Sequence, residues 1–193
     1  MDASGDRTPT SSRVLTVPNL ISTVRIAMIP VFWALIVDPD TTTWGIVLFG
    51  VVVATDWVDG TIARRTGQVS ELGKVLDPVA DRAAIAAGLI ALVVRGAFPF
   101  WAAALILVRD IAVLAVGAVM AAKGFRIEVR WIGKVATFAL MLAIPAVSWG
   151  SLGLWPAAAA LALGWPIYAL GIVEYYIAAG VYAIDLRRAM TAR

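Results

Sequence analysis

The chain has 193 residues, 61% of them hydrophobic and 15% charged, with a mean hydropathy of +0.88. That is far more apolar than a soluble domain of this size can hide, so the expected setting is a bilayer. Cysteine and histidine are absent, which excludes thiol nucleophiles, disulfides, thiolate or imidazole metal sites and every histidine-based acid/base mechanism. The net charge of +3 and pI of 9.6 fit attraction to anionic lipid headgroups better than binding to nucleic acid, which is not expected.

In chain order, residues Met1 to Ser12 are polar and rich in Gly, Pro, Ser and Thr. They read as a disordered tail (1–12) rather than a cleavable signal, with residues 13–193 forming one membrane domain. Val17 to Arg25 (VPNLISTVR) is mixed in character, and Pro18 and Asn19 suit a helix start. It is expected to lie along the membrane surface as a juxtamembrane helix before a first span from about Arg25 to Val37. Further apolar stretches run approximately from Trp44 to Ala63, Val75 to Val94, Phe98 to Ala122, Trp131 to Ser148 and Pro156 to Ile184. Each is about the 20 residues that a helix needs to cross about 30 Å of hydrocarbon. The expected fold is therefore all-α, an integral membrane bundle of six transmembrane helices with an N-terminal juxtamembrane helix.

Arg7, Arg13, Arg64, Arg65, Lys74, Lys123, Arg126, Arg130, Lys134, Arg187, Arg188 and Arg193 fall in the tails and in the 2–3 and 4–5 connections. Those segments, and hence both termini, are expected on the cytoplasmic side. The opposite connections carry Asp38, Asp40 and Arg95, with Trp44, Trp101, Trp149 and Trp155 where interfacial tryptophans would sit. No internal repeat suggests the inverted halves of a transporter.

The stretch Thr55 to Arg82 reads TDWVDGTIARRTGQVSELGKVLDPVADR. Asp56 and Asp59 are three residues apart and Asp77 and Asp81 four, so each pair projects from one face of its helix. The short connection makes the two helices antiparallel neighbours, which allows all four carboxylates to converge on one pocket at the membrane edge. Four close negative charges repel and require a counter-charge. An all-oxygen donor set points to a hard cation, Mg²⁺ or Mn²⁺, and four carboxylates suit two such ions clamping a pyrophosphate. Gly60 and Gly73 would let a flat base or a phosphate approach the backbone, and Arg64 could fork onto a phosphate oxygen. The plainer reading has the aspartates solvating helix ends and pairing with Arg64, Arg65, Lys74 and Arg82, which accounts for Asp56 or Asp81 singly but poorly for four acids at helical spacing with two glycines among them.

At this point the sequence resembles the CDP-alcohol phosphatidyltransferases. Their signature D-x2-D-G-x2-A-R-x8-G-x3-D-x3-D is met by Asp56, Asp59, Gly60, Ala63, Arg64, Gly73, Asp77 and Asp81. The resemblance implies a six-helix membrane fold, a cytoplasmic active site, a bacterial cell membrane location and a homodimer. It also implies that Asp56, Asp59 and Asp77 hold the metals, that Asp81 joins them and acts as general base, and that Asp56, Gly60, Ala63, Arg64 and Gly73 contact the CDP group. The implied reaction is attack by an acceptor hydroxyl on the lipid-side phosphorus of CDP-diacylglycerol with release of CMP.

The stretches VPNLISTVRI, GKVLDPVADR and KGFRIEVRWIGK look most like the phosphatidylglycerol phosphate synthase and cardiolipin synthase branch. The acceptor is then glycerol 3-phosphate, placed first, or phosphatidylglycerol. Lys123, Arg126, Arg130 and Lys134 could receive its phosphate, although basic residues gather on cytoplasmic connections whatever the substrate. Arg109, Asp110 and Glu174 are intramembrane charges that either bind acceptor, pair across the bundle or sit near the interface, with a structural role favoured. A small divalent-cation carrier lined by the aspartates is the alternative from another class; it has no use for the glycines and Arg64 at their spacing.

Overall fold

Without water to satisfy peptide groups, a chain crossing lipid has to close its hydrogen bonds within each segment, and uninterrupted apolar runs do so as helices. The computed structural model describes the backbone of residues 17–66, 73–122 and 131–191, and the side chains within 20–55, 80–116 and 135–180. Six helices and no strand are present among them: α1 (Val17–Val37), α2 (Thr42–Thr66), α3 (Gly73–Val94), α4 (Phe100–Ala122), α5 (Trp131–Ser151) and α6 (Ala157–Thr191). They match the expected apolar segments to within a few residues at most ends. The polar tail expected over 1–12 lies outside the described residues.

One expectation is corrected. Val17 to Arg25 is not a separate juxtamembrane helix, because α1 runs through it into the apolar segment without a break. Pro18 stands in the first turn, where a missing N–H leaves no bond unmade, and the helix continues past Arg25 and through Pro30, although that proline removes one bond of the ladder. Among the described residues, Leu20–Val37 of α1 and Ala157–Gly180 of α6 are long and apolar enough to cross a membrane, and Thr42–Thr55 and Val135–Ser151 are shorter apolar stretches. At 35 residues, α6 extends about 52 Å, well beyond what the hydrocarbon requires.

Helix α1 packs on α2 and α3, α5 lies along α6, and further contacts join α2 to α5, α4 to α6, α3 to α4 and α2 to α3. Small residues make the close approaches, as expected where neighbouring lipid is as apolar as a side chain and only tight packing favours association. Ala80, Ala84, Ala91, Ala102, Ala103, Ala136 and Ala143 are buried. At Gly45 a Cβ atom would stand 2.5 Å from the backbone nitrogen of Ile36, so the crossing of α1 and α2 needs a residue without a side chain. Between α4 and α6 the packing is aromatic: Trp101 stacks on Trp165 with centroids 5.6 Å apart, and the Tyr168 hydroxyl donates to the Ala102 carbonyl at 2.9 Å.

Two connections meet at one end of the bundle. Arg95, just after α3, donates from Nε to Thr42 Oγ1 at the start of α2 at 2.8 Å, which brings the α1–α2 and α3–α4 connections together. The end of α2 and the start of α3 therefore belong to the opposite end.

Candidate active site

The acidic stretch is carried by two helix ends. Asp56, Asp59, Gly60, Ala63 and Arg64 fall in the last turns of α2, and Gly73 opens α3, which carries Asp77 and Asp81 in its first turns. Only residues 67–72 separate the two helices. Helical spacing of three and four keeps each aspartate pair on one face of its helix. The side chains of Asp56, Asp59, Gly60, Ala63, Arg64, Gly73 and Asp77 lie outside the described residues, as does that of Lys134 at the start of α5; Lys123, Arg126 and Arg130 lie outside them entirely.

The side chain of Asp81 is described. It forms an ion pair through Oδ1 with Nη1 of Arg25, which reaches it from α1. The Arg25 side chain is 3% exposed and that of Asp81 25%, so the guanidinium is sunk between helices together with the Oδ1 it meets, while the rest of the Asp81 side chain keeps some open surface. Among the described residues no three acidic side chains gather, Asp81 being the one member of the acidic stretch whose side chain is described. The donor set that the two helix ends offer is all carboxylate oxygen, which suits a hard divalent cation and is poorly matched to soft metals.

A second charged cluster lies deeper in the bundle. Arg82, next to Asp81, points away from the acidic stretch and pairs through Nη1 with Asp110 of α4. The same nitrogen donates to the Tyr175 hydroxyl of α6 at 2.8 Å, and that hydroxyl in turn donates to Asp110 Oδ1. Arg109 pairs with Asp110 at 3.3 Å, donates from Nε to the Tyr175 carbonyl at 3.3 Å and holds its guanidinium carbon 3.5 Å from the centre of the Tyr175 ring. Arg109 and Asp110 are both buried. Arg109 and Asp110 thus pair with each other as neighbours on α4 and reach across the bundle to Tyr175 and Arg82, and Arg82 answers Asp110.

Sequence reasoning missed two residues here. Arg25 served it only as the boundary of a span, although an arginine inside an apolar helix is a functional candidate by default. Tyr175 carried no signal of its own, since nothing local says which helix its hydroxyl faces. Next to this second cluster lies an apolar cavity lined in part by Phe49, Val53, Ile85, Ile106, Met141 and Tyr175.

Comparison with known proteins agrees with the acidic stretch. Residues 15–173 match the profile of the CDP-alcohol phosphatidyltransferase family. The chain is 34% identical over 188 residues to the cardiolipin synthase (CMP-forming) of Streptomyces coelicolor, covering 94% of this chain and 87% of that protein. It is 33% identical over 150 residues to the CDP-diacylglycerol–glycerol-3-phosphate 3-phosphatidyltransferase of Bacillus subtilis, covering 69% of this chain and 77% of that one. The protein of the same name from Escherichia coli K12 is 36% identical over 142 residues, covering 69% and 76%.

Proposed function

The chain belongs to the CDP-alcohol phosphatidyltransferase family, and from that membership we propose that it moves the phosphatidyl group of CDP-diacylglycerol onto a glycerol-type acceptor with release of CMP. The observation that carries this is the complete eight-position acidic signature, borne on the adjoining ends of α2 and α3 across only six intervening residues. Each of its residue types has a use in displacement at phosphorus.

The family is divalent-cation dependent. Asp56, Asp59, Asp77 and Asp81 would hold Mg²⁺ or Mn²⁺, two ions for four carboxylates, and the bound cations would neutralise the pyrophosphate and the charge that builds on the leaving CMP. Asp81 accepts the proton of the acceptor hydroxyl as that oxygen attacks the lipid-side phosphorus. The bond from this phosphorus to the bridging oxygen breaks, and CMP leaves with the electron pair. Gly60, Ala63, Arg64 and Gly73 contact the CDP group, with the glycines admitting it close to the backbone and Arg64 forking onto a phosphate oxygen. Lys123, Arg126, Arg130 and Lys134 receive the acceptor phosphate. Arg109 was a further candidate, but its engagement with Asp110 and Tyr175 favours a structural role.

For the acceptor, phosphatidylglycerol is the first reading, with cardiolipin as product. It is supported by the extent of similarity, since the Streptomyces coelicolor cardiolipin synthase aligns over 94% of this chain and the glycerol-3-phosphate enzymes over 69%. Sequence alone put glycerol 3-phosphate first. That reading keeps the support of the 36% identity to the Escherichia coli K12 enzyme.

All six helices span the membrane in this reading. Large apolar side chains face outward on every one, among them Val31, Val51, Ile90, Val108, Leu142 and Leu170; such patches on all sides of a bundle suit lipid and not water. An active site and both termini on the cytoplasmic face of a bacterial cell membrane are supported by the basic 2–3 and 4–5 connections, and a homodimer by the family resemblance.

The test is CMP release from CDP-diacylglycerol by the detergent-solubilised chain with Mg²⁺, first with phosphatidylglycerol and then with glycerol 3-phosphate. Turnover with phosphatidylglycerol is expected. Turnover with glycerol 3-phosphate alone would reverse the order of the two acceptors, and silence with every alcohol would refute the transfer.

A further inference from the structure

We propose that Arg25 is a positioning residue of this site, whose guanidinium competes with the divalent cation for the carboxylate of Asp81. The inference rests on the reading of Asp81 as a metal ligand. Arg25 lies outside the eight-position signature, and it comes from α1, a helix that contributes none of the four aspartates.

Three observations carry it. The guanidinium is buried, with its side chain 3% exposed, and its described ion-pair partner is Asp81. The Asp81 side chain as a whole is 25% exposed, while the Oδ1 that meets Arg25 is buried, so a cation would approach over the open remainder of the side chain and meet the guanidinium behind it. The adjacent arginine, Arg82, is turned to Asp110 and Tyr175, which leaves Arg25 as the cation set against Asp81 among the described side chains.

A divalent ion entering beside a fixed guanidinium meets like-charge repulsion at a few ångströms, where Coulomb energies in a partly desolvated site are large. The carboxylate must also divide its lone pairs between the two. Arg25 therefore weakens the cation's hold on Asp81 while keeping that carboxylate aimed into the site. Removing the guanidinium leaves Asp81 in need of a counter-charge, and the cation supplies it. A purely structural ion pair makes the opposite prediction, because its loss would let Asp81 wander and the cation would bind more weakly.

The experiment is titration of the full chain in detergent with Mn²⁺ alone, free Mn²⁺ being followed by electron paramagnetic resonance, with no nucleotide or lipid substrate present. Arg25→Gln is expected to tighten Mn²⁺ about tenfold, the change that about 1.4 kcal/mol makes in an equilibrium constant. Arg25→Lys keeps the charge but loses the planar fork, and is expected to tighten it about twofold to threefold. If the glutamine variant does not fold, the lysine variant decides alone. In an Asp81→Asn background the same substitutions should tighten Mn²⁺ markedly less, since the share of the coupling that runs through that carboxylate is gone and only the through-space repulsion remains. Unchanged or weaker binding in the Arg25 variants, with the wild type binding Mn²⁺, overturns the competition and leaves the metal reading standing. A wild type that binds no Mn²⁺ overturns both.

Discussion

Asp81 and Arg82 are neighbours on α3, yet the bundle treats the two charges in different ways. Arg82 enters a closed cluster in which Asp110 receives Arg82, Arg109 and the Tyr175 hydroxyl, and in which Arg109 also covers the Tyr175 ring. Every partner there is a side chain or backbone group fixed to α3, α4 or α6. Asp81 instead holds one guanidinium from α1 and keeps a quarter of its side chain exposed. The difference teaches how a membrane protein spends polar residues: a buried charge satisfied wholly by fixed groups holds helices in register, while one with an open side can exchange its partner and take part in chemistry.

The largest expected effect tests the open half of that contrast. Asp81→Asn should lower CMP release by about a thousandfold, within the range expected for losing a general base, while binding of CDP-diacylglycerol falls less than in Asp59→Asn. Parallel binding and turnover measurements on the two variants check this. Equal loss of binding in both would remove the separation between proton acceptor and donor-lipid ligand.

The closed half should break in stability. Asp110→Ala leaves the buried Arg109 and the half-buried Arg82 without their carboxylate, and truncating one partner of a buried charged pair costs about 3–5 kcal/mol. Thermal unfolding in detergent should show a large fall in Tm, with any turnover lost following the folded fraction. A variant that keeps its Tm but loses turnover would move this cluster into the catalytic machinery.

The smallest effect sharpens the comparison. Tyr175→Phe removes one hydroxyl from the cluster but keeps the ring under Arg109, so a loss of about 1–2 kcal/mol is expected, as for one hydrogen bond to a charged group. The fall in Tm should be a fraction of that in Asp110→Ala, with KM for both substrates unchanged. A raised KM would mean that the cluster reaches the substrate.

Much of the architecture was legible in the residues. The helical segments followed from runs of apolar residues, because in lipid each run must close its own hydrogen bonds, and the structure returned all six segments. The juxtamembrane helix failed for a local reason, as the mixed polarity of VPNLISTVR implied a turn that no residue after Pro18 enforces. The acidic stretch was legible because its information is local too: spacing of three and four on two consecutive helices, with a short connection between them.

The pairings were not legible. Arg25 with Asp81, and Arg82 with Asp110 and Tyr175, join positions far apart in the chain, 28 residues in one case and 93 in another. In these helices apolar side chains cover nearly every face, so periodicity marks no side as inward and cannot say which faces meet. The chain's own composition and spacing therefore determined that it forms apolar helices and carries four aspartates at helical spacing on the adjoining ends of two of them. Only the packing of α1, α4 and α6 around α3 decided which of its charges are locked together and which one is held by a guanidinium from another helix, because side-chain partners are chosen by the faces that touch.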